Sequence, residues 1–121
     1  MDLKEINAGD AIVAAAAGRI DLSNADAFRD ALSASLAKAK TALVLDLSGV
    51  DYISSAGLRA LMIVHKAAKA DNKGLGIAGL NPLVREVFKI SRFDTVFALF
   101  DNVRGAVAKL APDSLSGLER P

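Results

Sequence analysis

Residues 3–7, Leu-Lys-Glu-Ile-Asn, alternate between apolar and polar, and Ala8-Gly9-Asp10 supplies turn residues before a second apolar stretch begins at Ala11-Ile12-Val13. A period of two interrupted by a glycine turn predicts a hairpin whose second strand runs to about Gly18. The period then lengthens. Over residues 25–39, Phe28, Ala31, Leu32, Ser35 and Leu36 recur at helical spacing, with Ser23 or Asn24 placed to cap the start. Residues 41–47 are almost continuously apolar, as strands buried on both faces are.

After Ser48 and Gly49 the pattern loosens into a turn, and residues 55–70 read as a long helix. Asp71-Asn72-Lys73-Gly74 closes it, with the glycine available for a left-handed cap. Residues 75–78 form another short buried strand, and Asn81-Pro82 opens a helix reaching about Ile90, asparagine as cap and proline at its first position. Residues 95–100 supply the last strand, and Asp101 caps a final helix through Leu110. Strand and helix alternate after the opening hairpin. This predicts one α/β domain over residues 1–110, a mixed β-sheet with helices packed on it, followed by a breaker-rich, flexible tail over 111–121.

Composition narrows the chemistry. Of 121 residues 52% are hydrophobic and 24% charged, enough for a proper core. Cysteine is absent and histidine occurs once, which excludes disulfides, thiolate nucleophiles and histidine-rich metal sites. A net charge of +1 is too balanced for a dedicated nucleic-acid binder. The longest apolar run, residues 11–17, falls well short of the roughly 20 residues that span a bilayer. No secretory signal is visible. The expectation is a cytoplasmic domain without membrane insertion or cofactor.

The motifs point away from catalysis. Gly74-Leu75-Gly76-Ile77-Ala78-Gly79 satisfies G-x-G-x-x-G, but a helix precedes it and its glycines fall inside a strand, the wrong context for a pyrophosphate. His65 has no second histidine and no acid at i±4, and reads as a helix-boundary residue. Asp46 and Asp51 flank a turn without a metal partner. No phosphate loop and no nucleophile elbow is present.

Ser54-Ser55-Ala56-Gly57-Leu58 stands where the buried strand gives way to the long helix, at the carboxyl edge of the sheet, where ligands and partners of α/β folds gather. A serine there can be an ordinary helix cap. Spacing alone favours the cap; the functional alternative is a modification site, since a phosphate at a helix start is favoured by the dipole and by free N–H groups. Projected at 100° per residue, the helix turns Ala60, Leu61, Val64, Ala67 and Ala68 toward the sheet. Arg59, Lys66, Lys69 and Lys73 gather opposite, with Met62 among them and Leu58 at the edge. Such a face is either a solvated basic surface or a docking ridge with a basic rim.

The run from Leu45 to Arg59, Leu-Asp-Leu-Ser-Gly-Val-Asp-Tyr-Ile-Ser-Ser-Ala-Gly-Leu-Arg, resembles the signature of the STAS domain family, in particular the bacterial anti-sigma factor antagonists. Gly18-Arg19-Ile20-Asp21 and the stretch from Asn81-Pro82 to Phe88 agree with it, and the likeness covers about residues 3–110. It implies a small mixed sheet with packed helices and a partner switch in place of catalysis. The unphosphorylated antagonist would bind an anti-sigma factor that is also a serine kinase. Phosphorylation would release it, and a serine phosphatase would reset it.

By motif, Ser55 matches the family's phosphoacceptor, with Ser54 the second choice, and Asp21 matches an acid near the acceptor. Asp21, Ser54, Ser55, Leu58, Arg59, Met62 and Lys66 are the expected partner-binding residues. Ser54 stands where the family often has aspartate, and Ala56 where it often has serine. The alternative is a STAS subunit that supports a transporter or signalling assembly by constitutive contact, with both serines acting as caps only.

Overall fold

The computed structural model describes residues 2–115. Strand β1 (Asp2–Ala8) pairs antiparallel with β2 (Ala11–Ile20) in the register Ala8 to Ala11, so Gly9 and Asp10 alone make the turn. Gly9 has φ +62°, as a II′ turn requires at its first central position. The chain continues through α1 (Ala25–Lys38), β3 (Ala42–Ile53), α2 (Ser55–Ala70), β4 (Gly74–Ala78), α3 (Pro82–Ile90), β5 (Ala98–Phe100) and α4 (Val103–Leu110). The five strands lie in the order β1-β2-β3-β4-β5, and every pair after the hairpin is parallel. The mixed α/β sheet expected from the alternation is the observed one.

Side-chain alternation along the strands divides the core. Ile12, Leu43, Leu45 and Ile77 face one way and bury Phe28 and Leu32 of α1, Leu61 and Val64 of α2 and Phe88 of α3. Val13, Val44 and Ala78 face the other way, beneath Ala106 and Val107 of α4. Gly79 of the G-x-G-x-x-G match lies beyond the strand expected to hold it, with φ +77° beside Ser48, whereas Gly74 and Gly76 belong to this second layer: a Cβ on Gly76 would lie 2.7 Å from Leu110 Cδ1 and 2.9 Å from Phe100. They let α4 close onto β4.

Several local expectations differ from the structure. β3 passes through the predicted turn and stays paired to Ile53, because it takes up one extra residue opposite Ala15–Ala17 and another opposite Gly18–Arg19, bulges that keep it in step with β2. β5 begins at Ala98, since Phe93–Thr95 forms a 3₁₀ turn and Phe97 turns inward. The left-handed residue after α2 is Asn72 (φ 56°), and Gly74 already belongs to β4. Lys73 lies beyond the helix and donates to the Leu36 carbonyl at 2.8 Å, so it is not part of the basic face.

The cap of α4 is Asn102, whose Oδ1 accepts from the Gly105 N–H at 2.8 Å, not Asp101. Asn24 precedes α1 without capping it. Its side chain accepts from the Asp21 N–H and donates to the Arg19 carbonyl, tying the β2–α1 loop together. In the stretch expected as a tail, Pro112–Ser114 form a 3₁₀ turn, and the buried Ser114 Oγ accepts from the Asp10 N–H at 3.1 Å. The remainder of that expected tail, 116–121, lies outside the described residues.

Candidate functional site

At the carboxyl edge of the sheet one residue, Ser54, separates β3 from α2. Its backbone is extended, its N–H donates to the Ile20 carbonyl at 2.9 Å, and its Oγ accepts from the Gly57 N–H at 3.3 Å. Ser54 is therefore the N-cap, and its hydroxyl is engaged. Ser55 takes the first helical position. Its side chain is exposed and makes no hydrogen bond to any described residue. The sequence leaves two serines open, and the structure gives them different environments.

Ser55 opens onto a solvent-facing groove of about 360 Å³. Leu58, Arg59 and Met62 of α2 form one wall, and Ser91 and Phe93 from the turn after α3 form the other. Leu58 is its floor: only 6% exposed, it belongs to the core and not to the helix edge where the projection put it. Met62 is half-buried, and the exposed Arg59 has no ion pair among the described residues. Arg59 also borders a smaller hollow of about 110 Å³ on the other flank of α2, where Leu22, Arg29 and Ile63 meet. An apolar floor with a cationic rim is the composition of a protein-docking surface.

Asp21 follows Ile20 and so adjoins the Ser54 cap, but it does not line the groove. Its carboxylate accepts from the Ser23 hydroxyl and N–H. These donors, with Arg19 at 3.8 Å, hold its pKa below the usual carboxylate value. Arg19 in turn stacks over Tyr52 at 4.2 Å. Lys66 is exposed but stands eleven residues after Ser55, about 16 Å along the helix axis, and the structure does not bring it to the groove.

Sequence reasoning missed Ser91 and Phe93. They fall between elements, positioned by the left-handed backbone of Arg92 (φ 61°), for which an arginine gives no signal. The available clue was aromatic: Phe93 and Phe97 pack at 5.7 Å, and Phe88 and Phe97 at 6.1 Å. Among the described residues no three His, Cys, Asp or Glu side chains gather as a metal-ligating group, and no helix is long and apolar enough to cross a membrane.

A parallel sheet opened by an antiparallel hairpin, with helices packed on it, is the arrangement of a STAS domain. The family model described as "Mlab, STAS domain" matches residues 5–101, and the chain belongs to that family. It is 37% identical over 97 residues to BtrV of Bordetella bronchiseptica, named as a candidate anti-sigma factor antagonist, covering 80% of this chain and 84% of that one. It is 31% identical over 90 residues to the anti-sigma-F factor antagonist RsfB of Mycobacterium tuberculosis, covering 74% and 73%.

Among solved structures, an anti-sigma factor antagonist from Mycobacterium paratuberculosis superposes with a TM-score of 0.83 at 26% identity, over 90% of this chain and 92% of that one. Unphosphorylated SpoIIAA gives 0.77 at 15% identity, over 92% and 97%, a likeness of fold.

Proposed function

We propose that this protein is an anti-sigma factor antagonist that docks an anti-sigma factor serine kinase through the groove beside Ser55 and is released when Ser55 is phosphorylated. The observation that carries this reading is the contrast between the two serines: Ser54 caps the helix, while Ser55 presents an exposed, unbonded hydroxyl at the mouth of an apolar groove. In the modification the γ-phosphoryl group passes from ATP to Ser55 Oγ, the P–O bond to ADP breaks, and the hydroxyl proton leaves to a base of the kinase. The product carries roughly −1.5 to −2 charges at pH 7. Where the docking partner brings no matching cation to it, such a charge costs about 2–5 kcal/mol, or roughly 30-fold to a few thousandfold in affinity. A serine phosphatase that hydrolyses the ester restores the binding form.

The test is incubation with ATP and the serine kinases of the same genome, followed by mass spectrometry. Phosphate on Ser55, absent from Ser55→Ala, is the expected result. Phosphate on Ser54 would keep the switch and move its site. Absence of phosphate, with a partner bound equally by wild type and Ser55→Ala, would overturn the switch in favour of a constitutive subunit of a transporter or signalling assembly.

A further inference from the structure

We infer that Arg59 is the internal clamp of phosphorylated Ser55, so that modification withdraws the groove's free cation at the same time as it adds an anion. This inference rests on the phosphoacceptor reading above and concerns what the phosphate does once it is in place. Ser55 and Arg59 stand at i and i+4 on α2 and line the same groove. Residues at that spacing have Cβ atoms about 5–6 Å apart on one helix face. Cα–Cβ bonds tilt toward the helix N-terminus, so the Arg59 stem leans back over the turn that holds Ser55. A guanidinium in that place meets phosphate oxygens with two parallel N–H donors.

Nothing else holds Arg59 back. It has no ion pair or hydrogen bond among the described residues, whereas neighbouring cations are committed. Arg19 stacks on Tyr52 and faces Asp21. Arg29 bridges Asp26 and Asp30, and Arg85 pairs with Asp101. Lys66 is too far along the helix. Arg92 adjoins Ser91 and Phe93 in sequence but does not line the groove.

In the unmodified protein, then, Arg59 is available to a carboxylate of the docking partner. After phosphorylation the same guanidinium is neutralised from within. The switch removes an attraction as well as introducing a repulsion.

The test uses the full chain with phosphoserine placed at position 55 by genetic-code expansion, so that no kinase is needed. The phosphate is titrated by ³¹P NMR. Phosphoserine ordinarily loses its second proton near pH 6. The midpoint is expected to lie about half a pH unit lower with Arg59 than in Arg59→Gln, and Arg59→Lys should recover part of the difference. The helix N-terminus acts equally on all three proteins, so the difference isolates the side chain. Equal midpoints in wild type and Arg59→Gln, or a shift produced by Arg92→Gln in place of Arg59→Gln, would overturn the clamp. Whether a kinase modifies Ser55 is read separately on the unmodified protein, so the two readings fail independently.

Discussion

Gly57 presses against Ile20 so closely that a Cβ added to it would lie 2.8 Å from Ile20 Cγ2 and 2.7 Å from Ile53 Cγ1. The missing side chain lets the first turn of α2 rest on the ends of β2 and β3, where the Ser54 N–H meets the Ile20 carbonyl. Both neighbours are β-branched and have little freedom to rotate aside. Overpacking of this kind costs about 1–3 kcal/mol, against roughly 1 kcal/mol that alanine gains over glycine within a helix. Gly57→Ala should therefore lose up to about 2 kcal/mol net, read as a lower urea midpoint with unchanged slope. A midpoint at or above that of wild type would show that the isoleucines yield.

The two serines separate in the same assay. Ser54→Ala removes the acceptor for the Gly57 N–H and should cost about 1 kcal/mol. Ser55→Ala removes an exposed hydroxyl without a partner and should stay within about 0.5 kcal/mol of wild type. The reverse order in urea denaturation would contradict the assignment of the cap to Ser54.

The long elements of this fold are legible from apolar spacing alone, because each buries a face whose period survives in the sequence. Phe28, Leu32 and Leu36 mark α1, and Ala60, Leu61, Val64 and Ala68 mark α2, all buried as the projection requires. The cap at Asn81 was legible for a different reason: asparagine followed by proline admits few other structures, and its Oδ1 accepts the Val84 N–H at 2.9 Å.

What failed was tertiary in origin. Ser48 and Gly49 look like a turn, yet Gly49 is needed where its Cβ would meet that of Ala17 at 2.9 Å in the neighbouring strand. Leu58 looked marginal on a helical projection because a projection knows only one axis, whereas this side chain also packs into the main core. The second wall of the groove depended on the backbone sign of Arg92, which no side-chain pattern encodes. The sequence does not tell Ser54 from Ser55, and only the hydrogen bond from the Gly57 N–H distinguishes Ser54 as the cap.

Within the groove, burial determines which substitution reports on docking. Leu58→Ala would empty a core position and cost about 2–5 kcal/mol, so any loss of binding would be confounded by unfolding. Met62 is half-buried on the groove wall and tolerates a polar replacement better. Met62→Glu is expected to weaken binding of the anti-sigma factor by about tenfold or more while leaving a cooperative thermal transition near that of wild type. Calorimetric titration alongside circular-dichroism melting measures both. Unchanged affinity with unchanged stability would place the partner elsewhere on the surface.

His65 gives the fold a pH dependence of definite sign. Its ring meets Phe97 edge-on with centroids 5.0 Å apart, and burial first, then the nearby charge of Lys69, lowers its pKa from 6.5. The unfolded chain therefore takes up a proton at higher pH than the folded chain does. Stability is full above the unfolded value and falls as pH drops below it, until the folded histidine also titrates. Glu5 and Asp21 have lowered pKa values instead, so their contributions are present above 4.5 and 3.8 and are lost only at still lower pH, in a separate window. The melting temperature of wild type should thus fall between about pH 7.5 and 5.5, and that of His65→Asn should fall less. Histidine occurs once in the chain, so a difference in slope between the two proteins belongs to this residue. Parallel slopes would mean that the ring titrates as freely in the folded state as in the unfolded one.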